Sequence, residues 1–427
     1  MLNKNYVQSL KNAKEYPHPI RLGYVAKSLK GIYIQNGPGE FDRWGIMTHP
    51  FDGDGYIRKI EFIDGAAYFQ GRYIQTWQRK VERFFHQRLF TGAFGSAPKY
   101  CLLKNPVNTN VVFLEEASHA IAASSEMGKT YQLDVATLET LGTHPTSISA
   151  HTHGRISVER HYPATGGTQL LFSDIDSVVS SVVQLDIPHF IYFHDFIVIP
   201  DYFLFFDHGL SMDLSQGYLN GWVNGITFKH QPSVLYLVNR HSGVYQPIPL
   251  PEVVGFSYHF ICGKQKEWLA CRGGGGIIEV YYILYPKFFT TPSEECQGQI
   301  YKTTVTVSAE VCVAPHQETV CVHESWVEMP VYDPTTEECF VILPKCSGIG
   351  VFHTVTHELR YYSSPGKIFN EPFYDENFVM SLVYDSATQM NYLYIFDRHS
   401  TFQEPMTILP MPLSIPMGLH GCYRAAK

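Results

Sequence analysis

The chain has 427 residues, with Lys+Arg 32 against Asp+Glu 40 and a net charge of −8; without a clustered basic stripe, that balance argues against a nucleic-acid partner. Charged residues make up only 17% and aromatics 14%, which suits a large β core and equally a long apolar tunnel. Nine cysteines with no C-x-x-C pair read as free thiols in a reducing compartment, not as a disulfide framework.

In chain order, the stretch from Met1 to Asn5 opens no apolar leader, and residues 6–13 give the best helical periodicity. The first thirty residues carry too many Lys and too few Ser for a transit peptide. Strand patterns then dominate. They fall at 31–35, 56–62, 67–76, 168–173, 196–206, 277–284, 301–309, 340–343, 379–384 and 391–396, rich in Val, Ile, Tyr, Phe and Thr and bounded by Gly, Asp, Asn and Pro. Residues 190–206 form the most apolar run, but His194, Asp195, Pro200 and Asp201 interrupt it, so it is no membrane span. Near the end, Asp385-Ser386-Ala387-Thr388 joins two strands as a hairpin. No Pro-, Gly- or Ser-rich linker divides the sequence, so one domain over residues 1–427 is expected. Many short strands without a boundary point to radial repetition, and seven propeller blades would take roughly 60 residues each. No blade motif is visible, and on periodicity alone sandwich and barrel arrangements stay open. A cytoplasmic location with peripheral membrane contact is expected.

Twenty histidines occur, and no H-E-x-x-H helix motif announces a metal site. His353 and His357 flank Thr354-Val355-Thr356, which reads as strand and would hold the two rings roughly 13 Å apart. Four others sit in apolar strand context or beside small residues: His151 in Ala150-His151-Thr152, His194 in Phe193-His194-Asp195, His259 in Tyr258-His259-Phe260, and His420 in Leu419-His420-Gly421. The inner strands of a propeller line its axis, so histidines distant in sequence can converge there. A hydrogen-bonded structural histidine is the alternative for each.

Ordered motifs then run nearly the whole length. Gly31-Ile32-Tyr33-Ile34-Gln35-Asn36-Gly37-Pro38-Gly39 is followed by His49-Pro50-Phe51-Asp52-Gly53-Asp54-Gly55, Arg72-Tyr73-Ile74-Gln75-Thr76 and Asn108-Thr109-Asn110-Val111-Val112. Pro365-Gly366, Glu371-Pro372-Phe373, Leu382-Val383-Tyr384-Asp385 and Gly418-Leu419-His420-Gly421 close the series. In this series the sequence resembles the carotenoid cleavage oxygenases, the family that includes the retinal-pigment retinoid isomerase. The resemblance implies an all-β, seven-bladed β-propeller with a cap of loops and short helices over the metal-bearing face. It implies Fe2+ held by His151, His194, His259 and His420, with Glu126, Glu328 and Glu371 accepting hydrogen bonds from ligand imidazoles. The implied reaction is cleavage of a carbon–carbon double bond of a carotenoid or apocarotenoid by O2. Stilbene-type cleavage, retinoid isomerisation and a non-catalytic carotenoid-binding propeller are the alternatives.

Departures from the family pattern are as informative. The first histidine is followed by Thr152-His153 where the family usually has Pro, which makes His153 a substitute ligand candidate and His189 a weaker rival to His194. Ile261 stands where the family often has Asn, and Gln35 where it has Arg. Gly273-Gly274-Gly275-Gly276 lacks a following Lys-Ser/Thr and reads as a turn. Ser177, Ser180 and Ser181 belong to no G-x-S-x-G elbow. Residues 84–103 set Phe84, Phe85, Leu89, Phe90, Phe94, Tyr100 and Cys101 among the basic Arg83, Arg88, Lys99 and Lys104 within and beside the segment, a pattern that fits a membrane-touching patch or a covering loop.

Overall fold

The computed structural model describes residues 14–95, 102–117, 119–126, 128–148, 150–163, 166–176, 181–266, 275–288, 297–308, 312–321, 326–412 and 415–426. The expected helix at 6–13, Ser177, Ser180, Gly273, Gly274 and part of the 84–103 segment lie outside these residues. The architecture is a seven-bladed β-propeller, as the resemblance implies.

Blade 1 is five-stranded, in the order Tyr16–Tyr24, Ala66–Tyr73, Tyr56–Ile63, Gly31–Gln35 and Gly421–Ala425. Blades 2, 4, 5 and 6 each have four antiparallel strands, and blade 3 has three: Ile156–His161, Thr168–Asp174 and Ser181–Ile187. Blade 7 comprises Lys367–Phe369, Phe373–Tyr374, Phe378–Asp385, Met390–Asp397 and Thr407–Pro410. The first strands of neighbouring blades touch around the axis: Ile197–Val198 of blade 4 meets Phe260–Lys266 of blade 5, which meets Glu328–Asp333 of blade 6. In blade 1 the innermost strand comes from the C-terminus, and Gly31 to Gln35 pair with Ala425 to Gly421 in register. The two chain ends thus close the ring within one sheet.

The apolar side chains explain this architecture. Successive strand residues face opposite sides of a sheet, and here both sides are covered. Phe203 and Phe205 pack with Phe172 and Leu170 of blade 3, while Leu204 and Phe206 pack with Val280 and Tyr282 of blade 5. Each of the seven junctions between neighbouring blades holds its own buried cluster, so the core is a ring of interfaces. A sheet buried on both faces is written as a near-continuous apolar run, which is why Tyr202-Phe203-Leu204-Phe205-Phe206 shows so little alternation.

Two strand readings need correction. The stretch 196–206 is not one strand: Ile197–Val198 and Tyr202–Asp207 pair with each other across Ile199-Pro200-Asp201. Thr354-Val355-Thr356 is a turn, not a strand, and His353 caps it by accepting from the Val355 and Thr356 N–H groups through Nδ1. Two helices stand over one end of the axis, α1 (Trp77–Phe85) and α2 (Leu214–Asn220). Thr76 caps α1 by accepting from Arg79 N at 3.1 Å. The α1–blade 2 connection meets the α2 region where Val223 N donates to Ala93 O at 2.9 Å, and together they form the expected cap. Among the described residues no helix is long and apolar enough to cross a membrane.

Candidate metal centre

Each of the four candidate histidines lies at the entry to an edge strand of its blade on the side of the axis: His151 before Ile156–His161, His194 before Ile197–Val198, His259 before Phe260–Lys266 and His420 before Gly421–Ala425. The axis therefore gathers them. One ring nitrogen from each lies within 4.8 Å of all the others, and the His151 ring is 4.0 Å from that of His420, 4.7 Å from His194 and 5.0 Å from His259.

Three of the rings are oriented from outside by glutamates of other blades. His420 Nδ1 meets Glu371 Oε1 at 2.8 Å, His259 Nδ1 lies 2.6 Å from Glu328 Oε2, and His194 Nδ1 contacts Glu126 Oε1. Each carboxylate is fixed in turn. Glu371 Oε2 accepts Gly421 N at 2.7 Å, and Glu328 accepts the Tyr285 hydroxyl and, at 2.7 Å, the Met329 N–H. Glu126 Oε2 takes the Arg160 guanidinium at 2.7 Å. Burial opposes ionisation of Glu126, yet His194 and then Arg160 hold its carboxyl down at about 2. Burial and the three neighbouring imidazoles hold His151 well below the ordinary imidazole range, whereas Glu328 raises His259 against its burial.

The donor set suits a divalent first-row metal. Imidazole–metal bonds of roughly 2.0–2.1 Å place ligand nitrogens on opposite sides of one ion about 4 Å apart, close to the spread seen here. With Nδ1 engaged by carboxylate, the other nitrogen of each ring is left for the centre. His259 Nε2 is buried and makes no hydrogen bond, as a nitrogen reserved for a cation should be.

The motifs of the resemblance acquire physical roles around His420. Leu419 N donates to Asn36 O at 2.8 Å, Asn36 N to His420 O at 3.0 Å, and His420 N to Thr109 O at 3.1 Å. Asn370 Oδ1 accepts Gly418 N at 2.9 Å, and Gln35 Nε2 donates to Leu419 O at 2.9 Å. A Cβ on Gly418 would fall 2.1 Å from Gln35 Oε1, so a larger residue there would displace the amide that holds Leu419 O. Gln35, in place of the family's Arg, therefore still secures the residue before His420. Asp54 pairs with Arg79 at 2.5 Å and Lys104 at 2.8 Å, and Asp52 Oδ1 accepts Phe94 N at 3.1 Å, tying the cap to blade 1.

The rivals lie elsewhere. His153 Nε2 faces Asp195 Oδ1 at 3.3 Å and stays outside the four-ring group. His189 pairs with Asp207 at 2.8 Å on the half-exposed outside of blade 4. Ile261 belongs to the core between blades 5 and 6. Gly275 and Ser181 both begin strands. Arg160 and Tyr285 were not singled out by the sequence. The signal for Arg160 is strand alternation, which places it on the same side as buried Val158.

Above the histidines lies a cavity of about 510 Å³. His194, His259, His420 and the three glutamates form one wall, and Phe51, Phe94, Tyr192, Trp222, Tyr258 and Phe288 contribute aromatic surface to the others.

The family model described as Retinal pigment epithelial membrane protein matches residues 9–425. The chain belongs to that family. It is 24% identical to an apocarotenoid-15,15'-oxygenase from Synechocystis, over 94% of this chain and 91% of the relative. A resveratrol cleavage oxygenase from Botryotinia fuckeliana is 34% identical over a shorter stretch, 31% of this chain and 24% of that protein. Among solved structures, cobalt-substituted Synechocystis apocarotenoid oxygenase superposes with a TM-score of 0.81 at 20% identity, covering 99% of this chain and 98% of that one. That likeness establishes the propeller.

Proposed function

We propose that this family member is a non-haem Fe(II)-dependent dioxygenase that cleaves a carbon–carbon double bond of a carotenoid or apocarotenoid to give two carbonyl products. The observation that carries this reading is the convergence of His151, His194, His259 and His420 beside an apolar, aromatic-lined cavity whose wall includes three of them, His194, His259 and His420. These four would hold the iron, and Glu126, Glu328 and Glu371 would fix the tautomer of three of the rings. Bound iron supplies oxygen activation beside an electron-rich alkene. Four neutral nitrogens leave it its full charge, and the carboxylates stay one layer out. The aromatic walls bind a polyene by burial and exclude water, while their length and shape select the scissile bond.

The cap supports peripheral membrane contact. Helix α1 is built inside out, with Gln78, Arg79 and Glu82 buried while Phe84 and Phe85 are 78% and 61% exposed. A lipid surface is the environment that suits such a face, and it is where a lipophilic substrate would be met.

The test is aerobic turnover by iron-loaded protein of a panel of β-carotene and apocarotenals under ¹⁸O2. Shorter aldehydes carrying label are expected; unlabelled isomerised product would replace cleavage with isomerisation. Bound iron with no turnover across the panel would leave a carotenoid-binding propeller. One observation favours a phenolic, stilbene-type substrate as the second reading: Lys104, buried between Asp54 and Glu82 and held down at about 7 chiefly by that burial, lines the cavity. Preferential cleavage of resveratrol over apocarotenals would decide for it.

A further inference from the structure

Glu126 and His194 belong to blades that are not neighbours. Glu126 follows strand Ala120–Ser124 of blade 2, and His194 precedes Ile197–Val198 of blade 4. Between them stands blade 3, and its first strand, Ile156–His161, sends Arg160 into the gap. The guanidinium is 5% exposed. Nη2 donates to Glu126 Oε2 at 2.7 Å and approaches the Glu126 carbonyl at 3.4 Å, while Nη1 donates to the carbonyl of Phe193, the residue before His194. Its Cζ lies 5.2 Å from the ring centroid of Tyr192 and 5.3 Å from that of Phe193.

Glu371 and Glu328 need no such bridge. Glu371 is held by the backbone N–H following His420, and Glu328 by a tyrosine and a neighbouring N–H. Glu126 also keeps 26% of its side chain accessible, toward the cavity. Without its second anchor it could turn to solvent and release the His194 ring.

We propose that Arg160 is a positioning residue for the metal centre, locking Glu126 onto His194 across the intervening blade and so fixing the orientation of that one ring. The planar fork reaches the carboxylate and the Phe193 carbonyl together, a span that a lysine ammonium does not reproduce. The inference rests on the four-histidine reading of the site.

The test compares wild type, R160Q, R160K, E126Q and the R160Q/E126Q double variant. Two quantities are read: Co(II) affinity in competition with a chelator, and the visible spectrum of the cobalt form. R160Q is expected to bind metal roughly 10–100-fold more weakly, the range for loss of a group supporting a ligand, with a shifted cobalt spectrum. R160K falls between R160Q and wild type. Because Arg160 acts through Glu126, adding R160Q to E126Q is expected to change affinity less than threefold. In turnover, kcat falls while KM stays within about twofold. Wild-type affinity and spectrum in R160Q, or a loss that adds in full to that of E126Q, overturns the proposal. If R160Q does not fold, R160K alone carries the same two outcomes. A wild-type protein that binds no metal defeats the four-histidine reading, whereas a metal-binding wild type matched by R160Q and R160K defeats only the role of Arg160.

Discussion

His208 shows how a residue remote from the cavity bears on it. The ring is buried between Phe206 and Phe256, and its Nε2 accepts Ser257 N at 3.1 Å, which leaves Nδ1 to donate to Ser233 Oγ at 2.9 Å. Ser257 Oγ in turn donates to the His259 carbonyl at 3.2 Å. Burial holds His208 down at about 3, so between that value and about 6.5 the unfolded chain takes up a proton that the fold does not. Stability rises with pH over this window. The contribution of His208 is complete above about 6.5 and is lost as pH falls, by up to about 1.4 kcal/mol per pH unit. Urea unfolding at pH 7 and 5.5 should therefore show a shallower pH slope for H208Q than for wild type, and equal slopes would remove His208 from the account. Nothing in the sequence marks His208, since its partners Ser233 and Ser257 lie 25 and 49 positions away. His151, His194, His259 and His420 were legible only because ordered motifs supplied a frame. Read singly, each resembles the structural histidine that His208 proves to be.

At the scale of the element, α1 is informative because its pattern is inverted. Periodicity finds helices by an apolar face turned to a core, and here the inward face is charged. Glu82 accepts Leu89 N at 3.0 Å and Phe90 N at 3.2 Å and pairs with Lys104 at 2.8 Å. E82A takes the acceptor from both N–H groups and leaves Lys104 with Asp54 alone, and a loss of about 2–4 kcal/mol in urea unfolding is expected. The outward face predicts the opposite. Phe84→Ser with Phe85→Ser should change stability by less than about 1 kcal/mol yet weaken sedimentation with phosphatidylcholine vesicles several-fold; undiminished binding would locate membrane contact elsewhere. The turn at Thr354-Val355-Thr356 is the converse failure. β-Branched residues read as strand, but the reversal is set by His353 capping and by His357, whose φ is 59°.

For the whole molecule, seven buried clusters between blades mean that stability is distributed around a ring, in which blade 1 joins strands from near the two ends of the sequence. Removing residues 421–427 strips that blade of its inner strand and frees His420, so a fall in Tm of roughly 10 °C or more, with loss of bound metal, is expected in a thermal melt. An unchanged Tm would show that the ring does not depend on its closing strand. The fold was legible at this scale because β-rich composition and the motif series agree. The convergence itself was not, because it depends on which strand of each blade lines the axis, and no local pattern records that.

Whether four histidines hold one iron is decided by diffraction from crystals of the iron-loaded protein, with anomalous data collected on both sides of the iron absorption edge. One iron per chain is expected, bonded to one nitrogen each of His151, His194, His259 and His420, with the Glu126, Glu328 and Glu371 carboxylates behind three of the rings. Iron bound at any other site, or four histidines left without metal after loading, would contradict it.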